Sequence, residues 1–244
     1  MKVFKENVRL AAELAIANKE LAFESAEKAK RAAELAVANK ELTFQNEEKA
    51  KRAAELAIAN EKLVIANTEI NHIALYDQLT ELANRRLLFN RIKYAQTISK
   101  RNKQQNALLF LDLDKFKLVN DTLGHVFGDL LLQQVAEQLK TNVREGDTVA
   151  RLGGDEFVVL IEGLGEDVVK AKTVVKNTVE KMLALLDKPY QLNDRSWKSA
   201  ASVGIILFNG NELNPDELLG QADIAMYQAK SEGGNGMRFF VPVA

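Results

Sequence analysis

Residues 148–161 read TVARLGGDEFVVLI. The runs 148–152 and 157–161 are apolar and rich in β-branched side chains, and Gly153-Gly154 lies between them. Two such runs about a glycine pair read as a β-hairpin. Asp155 and Glu156 follow the glycines directly. A second run, 107–113 (ALLFLDL), is continuously apolar, the pattern of a strand buried on both faces. Asp112 and Asp114 sit where it runs into Lys115-Phe116-Lys117. Carboxylates at the ends of buried strands are costly unless something cationic neutralises them. If the two strands are neighbours, three or four carboxylates converge on one point. Mg²⁺ is the expected occupant, a hard cation that takes oxygen ligands and shares them with phosphates. Two such ions about 4 Å apart activate a hydroxyl and stabilise the phosphate it attacks. Ordinary surface turn acids are the structural alternative.

Outward from this centre, 84–101, 124–143, 166–186 and 215–231 have helical spacing, and 190–192, 199–208 and 237–241 read as strands. Pro215 opens its helix and glycines follow its end. The alternation predicts one α/β domain, and hairpin-joined strands make its sheet mixed. Turn N–H groups at Lys115, Phe116 and Lys117, with two ammonium groups, are candidate phosphate donors. Lys230, in the last turn of 215–231, is another candidate, although a lysine there suits the helix dipole by itself. Asn120 and Asp129 are candidates for reading a base. A carboxylate accepts both N1–H and N2–H₂ of guanine, whereas adenine offers no such pair. Their structural alternatives are a helix cap and a helix-start acid. His72 and His125 have no partner at metal-ligand spacing and read as structural.

The first 70 residues differ in texture. They hold 17 Ala and neither Gly nor Pro, so nothing punctuates the backbone. One helix of roughly 100 Å is expected. The string Ala-Ala-Glu-Leu-Ala begins at Ala11, Ala32 and Ala53, a period of 21 or three heptads. With Leu14 at position d, Leu21, Leu35, Leu42, Leu56, Leu63 and Ile70 share its seam, interrupted by Lys28 and Lys49. Asn18, Asn39, Asn46, Asn60 and Asn67 fall at a, where Asn favours a paired, in-register dimer. Ile16, Phe23, Val37, Phe44, Ile58 and Ile65 recur at f. They form a second seam, in a bundle or against another domain.

Composition bounds the rest. Lys+Arg against Asp+Glu is 33 against 34, a net charge of −1, which argues against coating nucleic acid or an anionic membrane. With no Cys there is no disulfide framework, thiolate metal site or thiol nucleophile. No apolar run approaches the ~20 residues that span a bilayer, and the N-terminus lacks a signal-peptide core. A soluble cytoplasmic protein is expected.

These pieces coincide in one known pattern. Residues 151–157 read RLGGDEF, and the chain over about 75–244 resembles GGDEF-type diguanylate cyclases. Further family-like strings follow in order: 77–86 (DQLTELANRR), 110–117 (FLDLDKFK), Asn120-Asp121, Gly124-His125 with Gly128-Asp129, 202–205 (SVGI), and Ala222-Asp223 leading to Met226-Tyr227 and Ala229-Lys230. The helical stretch, taken as 1–74, resembles a linker repeat of bacterial signalling proteins. The resemblance implies a central mixed sheet wrapped by helices, as in nucleotide cyclases and polymerase palms. It implies condensation of two GTP into cyclic di-GMP with release of two pyrophosphates, each of two facing domains binding one GTP. Asp112, the Leu113 carbonyl and Asp155 would hold Mg²⁺, with Mn²⁺ as the alternative ion and Glu156 joining the shell. Asp155 would accept the 3′-hydroxyl proton, Lys117 and Lys230 would contact phosphate, and Asn120 and Asp129 would read guanine. Arg144 and Asp147, in 144–147 (REGD), match the family's product-inhibition site. A non-catalytic cyclic di-GMP or GTP receptor, or a dimerisation module, is the competing class. Three positions depart from the family: Glu81 replaces the usual Gly, Ala83 the usual Pro, and Gly234 a common Arg.

Overall fold

The computed structural model describes residues 1–210 and 213–242. Its elements run α1 (Lys2–Leu75), α2 (Arg85–Asn102), β1 (Asn106–Asp114), α3 (Phe116–Leu123), α4 (His125–Thr141), β2 (Thr148–Gly153), β3 (Glu156–Ile161), α5 (Val168–Leu186), β4 (Tyr190–Leu192), β5 (Arg195–Trp197), β6 (Ala200–Phe208), α6 (Pro215–Ser231) and β7 (Gly236–Phe239). Two compact units divide the chain, Met1–Asn67 and Thr68–Ala244.

In the first unit the described side chains are all exposed, as the single unpunctuated helix requires. Arg31 pairs with Glu27 and Arg52 with Glu48, one turn apart, so the ion pairs keep the 21-residue period. Leu21 and Phe23, from the two apolar stripes, are 67% and 69% exposed.

The second unit is built on a five-stranded sheet in the order β2-β3-β1-β6-β7. β1 lies at its centre, antiparallel to β3 and β6, while β7 runs parallel to β6. The sheet is therefore mixed, as expected. Successive side chains of a strand alternate between faces. Leu109, Leu111 and Leu113 of β1 pack with Leu131 and Val135 of α4 and Val175 and Val179 of α5. Leu108 and Phe110 pack on the other face with Leu88 and Ile92 of α2 and Leu218 and Met226 of α6. Burial on both faces explains the continuous apolar run of β1. The same alternation turns Asp112 and Asp114 toward the α2–α6 face.

Local chemistry fixes the elements that carry the site. Asn84 caps α2 by accepting from the Leu87 N–H at 3.1 Å. Asn214 and Glu217 form a capping box at the start of α6, with Pro215 at its first position. A Cβ on Gly204 would lie 1.9 Å from the Ala222 carbonyl oxygen and 2.3 Å from the Met226 nitrogen. Only glycine lets α6 approach β6 this closely, and that approach brings the end of α6 to the end of β1.

Several expectations shift. The 115–117 turn is the left-handed Lys115 followed by a short helix, α3. The hairpin turn is Gly154-Asp155, because Gly153 pairs with Glu156 past an irregularity after Arg151. A short β4–β5 ribbon joins α5 to β6, and its second strand was not expected. Positions 211–212 and 243–244 of the 75–244 expectation lie outside the described residues.

Candidate active site

Asp112 of β1 stands directly opposite Glu156 of β3 in the sheet register. Cross-strand partners share a face, so their side chains rise together on the α2–α6 side. Asp155 occupies the turn just before Glu156. The Lys230 ammonium, from the last turn of α6, pairs with Asp112 Oδ1. Asp112 is largely buried, its side chain 14% exposed. Burial pushes its carboxyl up to about 6; the Lys230 hydrogen bond pulls down, and the Asp155 and Glu156 charges push up again. Glu156 is raised too, first by desolvation and then by Asp223 and Asp155. Four acids, Asp112, Asp155, Glu156 and Asp223, thus crowd Lys230, with Arg85 acting on Glu156 as well.

Among the described residues, no three acidic, His or Cys side chains form a ready-made cation cage. The donor chemistry nevertheless fits a hard divalent ion. Carboxylate oxygens from two strands and the turn are all oxygen donors, and their mutual repulsion is relieved by added positive charge.

Asp114 does not join the cluster. Its Oδ1 accepts from the Ser202 hydroxyl at 2.8 Å and its Oδ2 from the Asn235 N–H at 2.7 Å. It is a brace holding the turn after α6 against β1, a correction to its reading as a convergent acid. Gly234, in place of the family's Arg, lies in that turn; a Cβ there would sit 2.8 Å from Asp114 Oδ2.

The candidate nucleotide residues lie on α3 and α4. Lys115 and Lys117 are exposed, while Phe116 is packed against the core at the start of α3. The free N–H groups of that helix end favour an anion. Asn120 Oδ1 is buried without a hydrogen-bond partner. A Cβ on Gly128 would lie 2.0 Å from it, so glycine at this point of α4 is what admits the Asn120 amide. Asn120 is interior to α3 and does not cap it; Asp129 is exposed, one residue beyond Gly128. A buried, unpaired carbonyl oxygen is an open acceptor for an N–H donor.

The clamp that positions the turn was not legible beforehand. Arg151 donates from Nε and Nη2 to the Gly154 carbonyl at 3.0 and 2.8 Å. Its Nη1 donates to both Asp77 oxygens at 2.9 and 3.2 Å. Burial alone would raise the Asp77 carboxyl, but the Thr80 and Arg151 hydrogen bonds outweigh it and hold the group below its usual range. Arg151 in RLGGDEF and Asp77 in DQLT lie 74 residues apart, and nothing local in the sequence links them.

At the other end of β2, Arg144 and Asp147 share a tight turn. Asp147 accepts from the Arg144 N–H at 3.0 Å and from the Glu162 N–H at 3.2 Å. The Arg144 side chain is exposed beside a groove of about 480 Å³.

Sheet order, acid cluster and flanking helix ends together describe a palm-like domain suited to nucleotidyl transfer. Residues 74–236 match the family described as "Diguanylate cyclase, GGDEF domain". The chain belongs to the GGDEF family of diguanylate cyclases. It is 46% identical over 174 residues to the bifunctional diguanylate cyclase/cyclic di-GMP phosphodiesterase MucR of Pseudomonas aeruginosa, covering 71% of this chain and 24% of MucR. The solved GGDEF domain of TpbB from the same organism superposes with a TM-score of 0.63 at 35% identity, covering 68% of this chain and 94% of that domain. The coiled coil and GGDEF domain of DgcB from Caulobacter crescentus, solved with c-di-GMP, shares the fold at 24% identity and TM-score 0.68, covering 77% of this chain and 97% of that one. The chain spans about a quarter of MucR and 39% of TpbB, the first curated relatives it matches. No helix among the described residues is long and apolar enough to cross a membrane.

Proposed function

We propose that this chain is a Mg²⁺-dependent diguanylate cyclase that works as a homodimer and is restrained by its product. Each copy holds one GTP. The 3′-hydroxyl of each attacks the α-phosphorus of the other, so two P–O bonds form, two break, and two pyrophosphates leave with cyclic di-GMP. The observation that carries this reading is the Asp112–Glu156 register beside the Asp155 turn, closed by Lys230.

Each residue has a task in that reaction. Asp155 accepts the 3′-hydroxyl proton. Lys117 and the start of α3 take charge developing on the phosphates, with Lys115 and Phe116 lending N–H groups. Lys230 moves between Asp112 and a phosphate oxygen. The unpaired Asn120 oxygen and the exposed Asp129 carboxylate accept from the guanine edge. Asp112, the Leu113 carbonyl, Asp155 and Glu156 are the groups that would hold Mg²⁺, or Mn²⁺ in its place. Bound there, the ion supplies Lewis acidity toward the phosphate and lowers the cost of a nearby alkoxide. Arg144 and Asp147 are assigned to product binding, and the 1–74 helix to dimerisation, leaving 75–244 as the catalytic domain.

One observation favours a second reading, a receptor that binds nucleotide without turnover: Gly234 offers no side chain where the family carries Arg. One assay separates the two. Purified protein incubated with GTP and Mg²⁺ is expected to yield cyclic di-GMP, and Asp155→Ala to lower turnover by about 10²- to 10⁴-fold. A dimeric preparation that binds GTP and forms no product overturns the enzyme in favour of the receptor.

A further inference from the structure

The groove beside Arg144 is lined by equal numbers of cationic and anionic side chains. Its cationic lining is Arg91, Lys140 and Arg144; its anionic lining is Glu81, Glu145 and Asp147. Each Asp147 oxygen already accepts one backbone N–H, from Arg144 and from Glu162. Glu145 lies in the exposed turn between Arg144 and Asp147. Glu81 reaches the groove from a different segment, the turn that follows α1.

Glu81 is out of place in two respects. Its φ is +58°, a left-handed conformation that L side chains adopt at a cost. Glycine would take it freely, and the family pattern has glycine there. The backbone is nonetheless held: the Glu81 N–H donates to the Asp77 carbonyl at 2.9 Å. The carboxylate is held too, with Oε2 at 3.1 Å from His72 Nε2, whose ring stacks on Tyr76 at 4.8 Å. Tyr76 lines the same groove. A side chain that costs backbone strain is thus placed, with a partner, at the wall of this groove.

The geometry points to Glu81 as a determinant of this groove's affinity for a phosphate-bearing ligand, one that weakens product binding. This rests on the reading of Arg144 as a product contact. With glycine at 81 the lining would carry one net positive charge; Glu81 cancels it. A cyclic dinucleotide brings two phosphates, so it gains from Arg144 and Arg91 and loses to Glu81. Feedback in this chain is therefore set to a higher product concentration than the Arg144–Asp147 pair alone would give.

Calorimetric titration of cyclic di-GMP into the full chain tests it, in about 50 mM and about 500 mM salt. Arg144→Ala is expected to weaken binding tenfold or more. Glu81→Gln and Glu81→Gly are expected to tighten it about three- to tenfold at low salt and less at high salt, where screening is strong. Glu81→Asp, which keeps the charge, is expected to stay within twofold of the native chain. If Arg144→Ala weakens binding and both neutral Glu81 variants leave it unchanged, the role of Glu81 is overturned while the groove stands. If Arg144→Ala has no effect, the groove reading fails and the Glu81 assignment with it.

Discussion

At the scale of a residue, Asp112 is where folding and chemistry conflict. A carboxyl raised to about 6 by burial and by neighbouring acids prefers its proton in the folded state. An unfolded Asp titrates near 3.9. The folded protein therefore binds more protons between those values, and stability from this group is full below the lower value and lost as pH rises through about 6. Asp112→Asn removes the effect. In EDTA, thermal melts of the variant and the native chain are expected to converge near pH 4.5. Above pH 6 the variant is expected to gain a few degrees over the native chain. Added Mg²⁺ at pH 7.5 should close that gap by stabilising only the native protein. A difference in melting temperature that is constant from pH 4.5 to 7.5 would mean that Asp112 is not the strained group.

At the scale of elements, the Asp77–Arg151–Gly154 chain joins the turn after α1 to the hairpin carrying Asp155. The Arg151 and Asp77 side chains are 11% and 22% exposed, so the pair is shielded from solvent screening. Asp77→Asn leaves a largely buried guanidinium facing a neutral amide with one acceptor oxygen lost, at a cost of about 1–3 kcal/mol. Urea melts should show that loss. GTP turnover should fall by more than the unfolded fraction explains, because the Gly154 carbonyl loses its fixed donor. Arg151→Lys should fail to restore either, since an ammonium cannot reach two acceptors in a fork. A variant with native turnover would make the clamp purely structural.

The elements also show what could be read beforehand. α6 was legible at both ends, because Pro215 is a start signal and the glycines after Ser231 are a stop signal around an apolar stripe. The sheet centre was legible because burial on both faces leaves no polar alternation in β1. α3 was not: eight residues opened by a left-handed Lys115 look like a turn in sequence. The crowding of Asp112, Asp155 and Glu156 was visible as acids interrupting apolar runs. The partners of Asp114 and Arg151 were not, because a hydrogen bond across 121 or 74 residues leaves no local trace. Glu81 stood out in the sequence only as a departure; its left-handed backbone and its place on the groove needed the fold.

At the scale of the whole molecule, the proposed reaction needs two copies, and residues 1–67 offer a means of pairing them. The Leu14 and Ile16 stripes are offset by two residues, about 200° around the helix, so they occupy nearly opposite faces. A two-stranded coil buries one of them. The d stripe, with Asn at neighbouring a positions, is the one suited to an in-register pair. Pairing through it tethers two catalytic units at an effective concentration near the millimolar range, whatever the bulk concentration. Turnover per chain of the native protein should then be flat down to the dissociation constant of the coil. Leu21→Glu combined with Leu42→Glu puts charges into the d stripe of the first two repeats without touching residues beyond Asn67. That variant should run as a monomer by light scattering at micromolar concentration. Its turnover per chain should fall by about two orders of magnitude and rise in proportion to concentration, because the encounter has become bimolecular. Phe23→Glu combined with Phe44→Glu makes the same change on the f stripe and should leave the dimer and its turnover intact. A monomeric d-stripe variant that keeps native turnover per chain at nanomolar concentration would show that one copy suffices, and the two-half-site reaction would have to be abandoned.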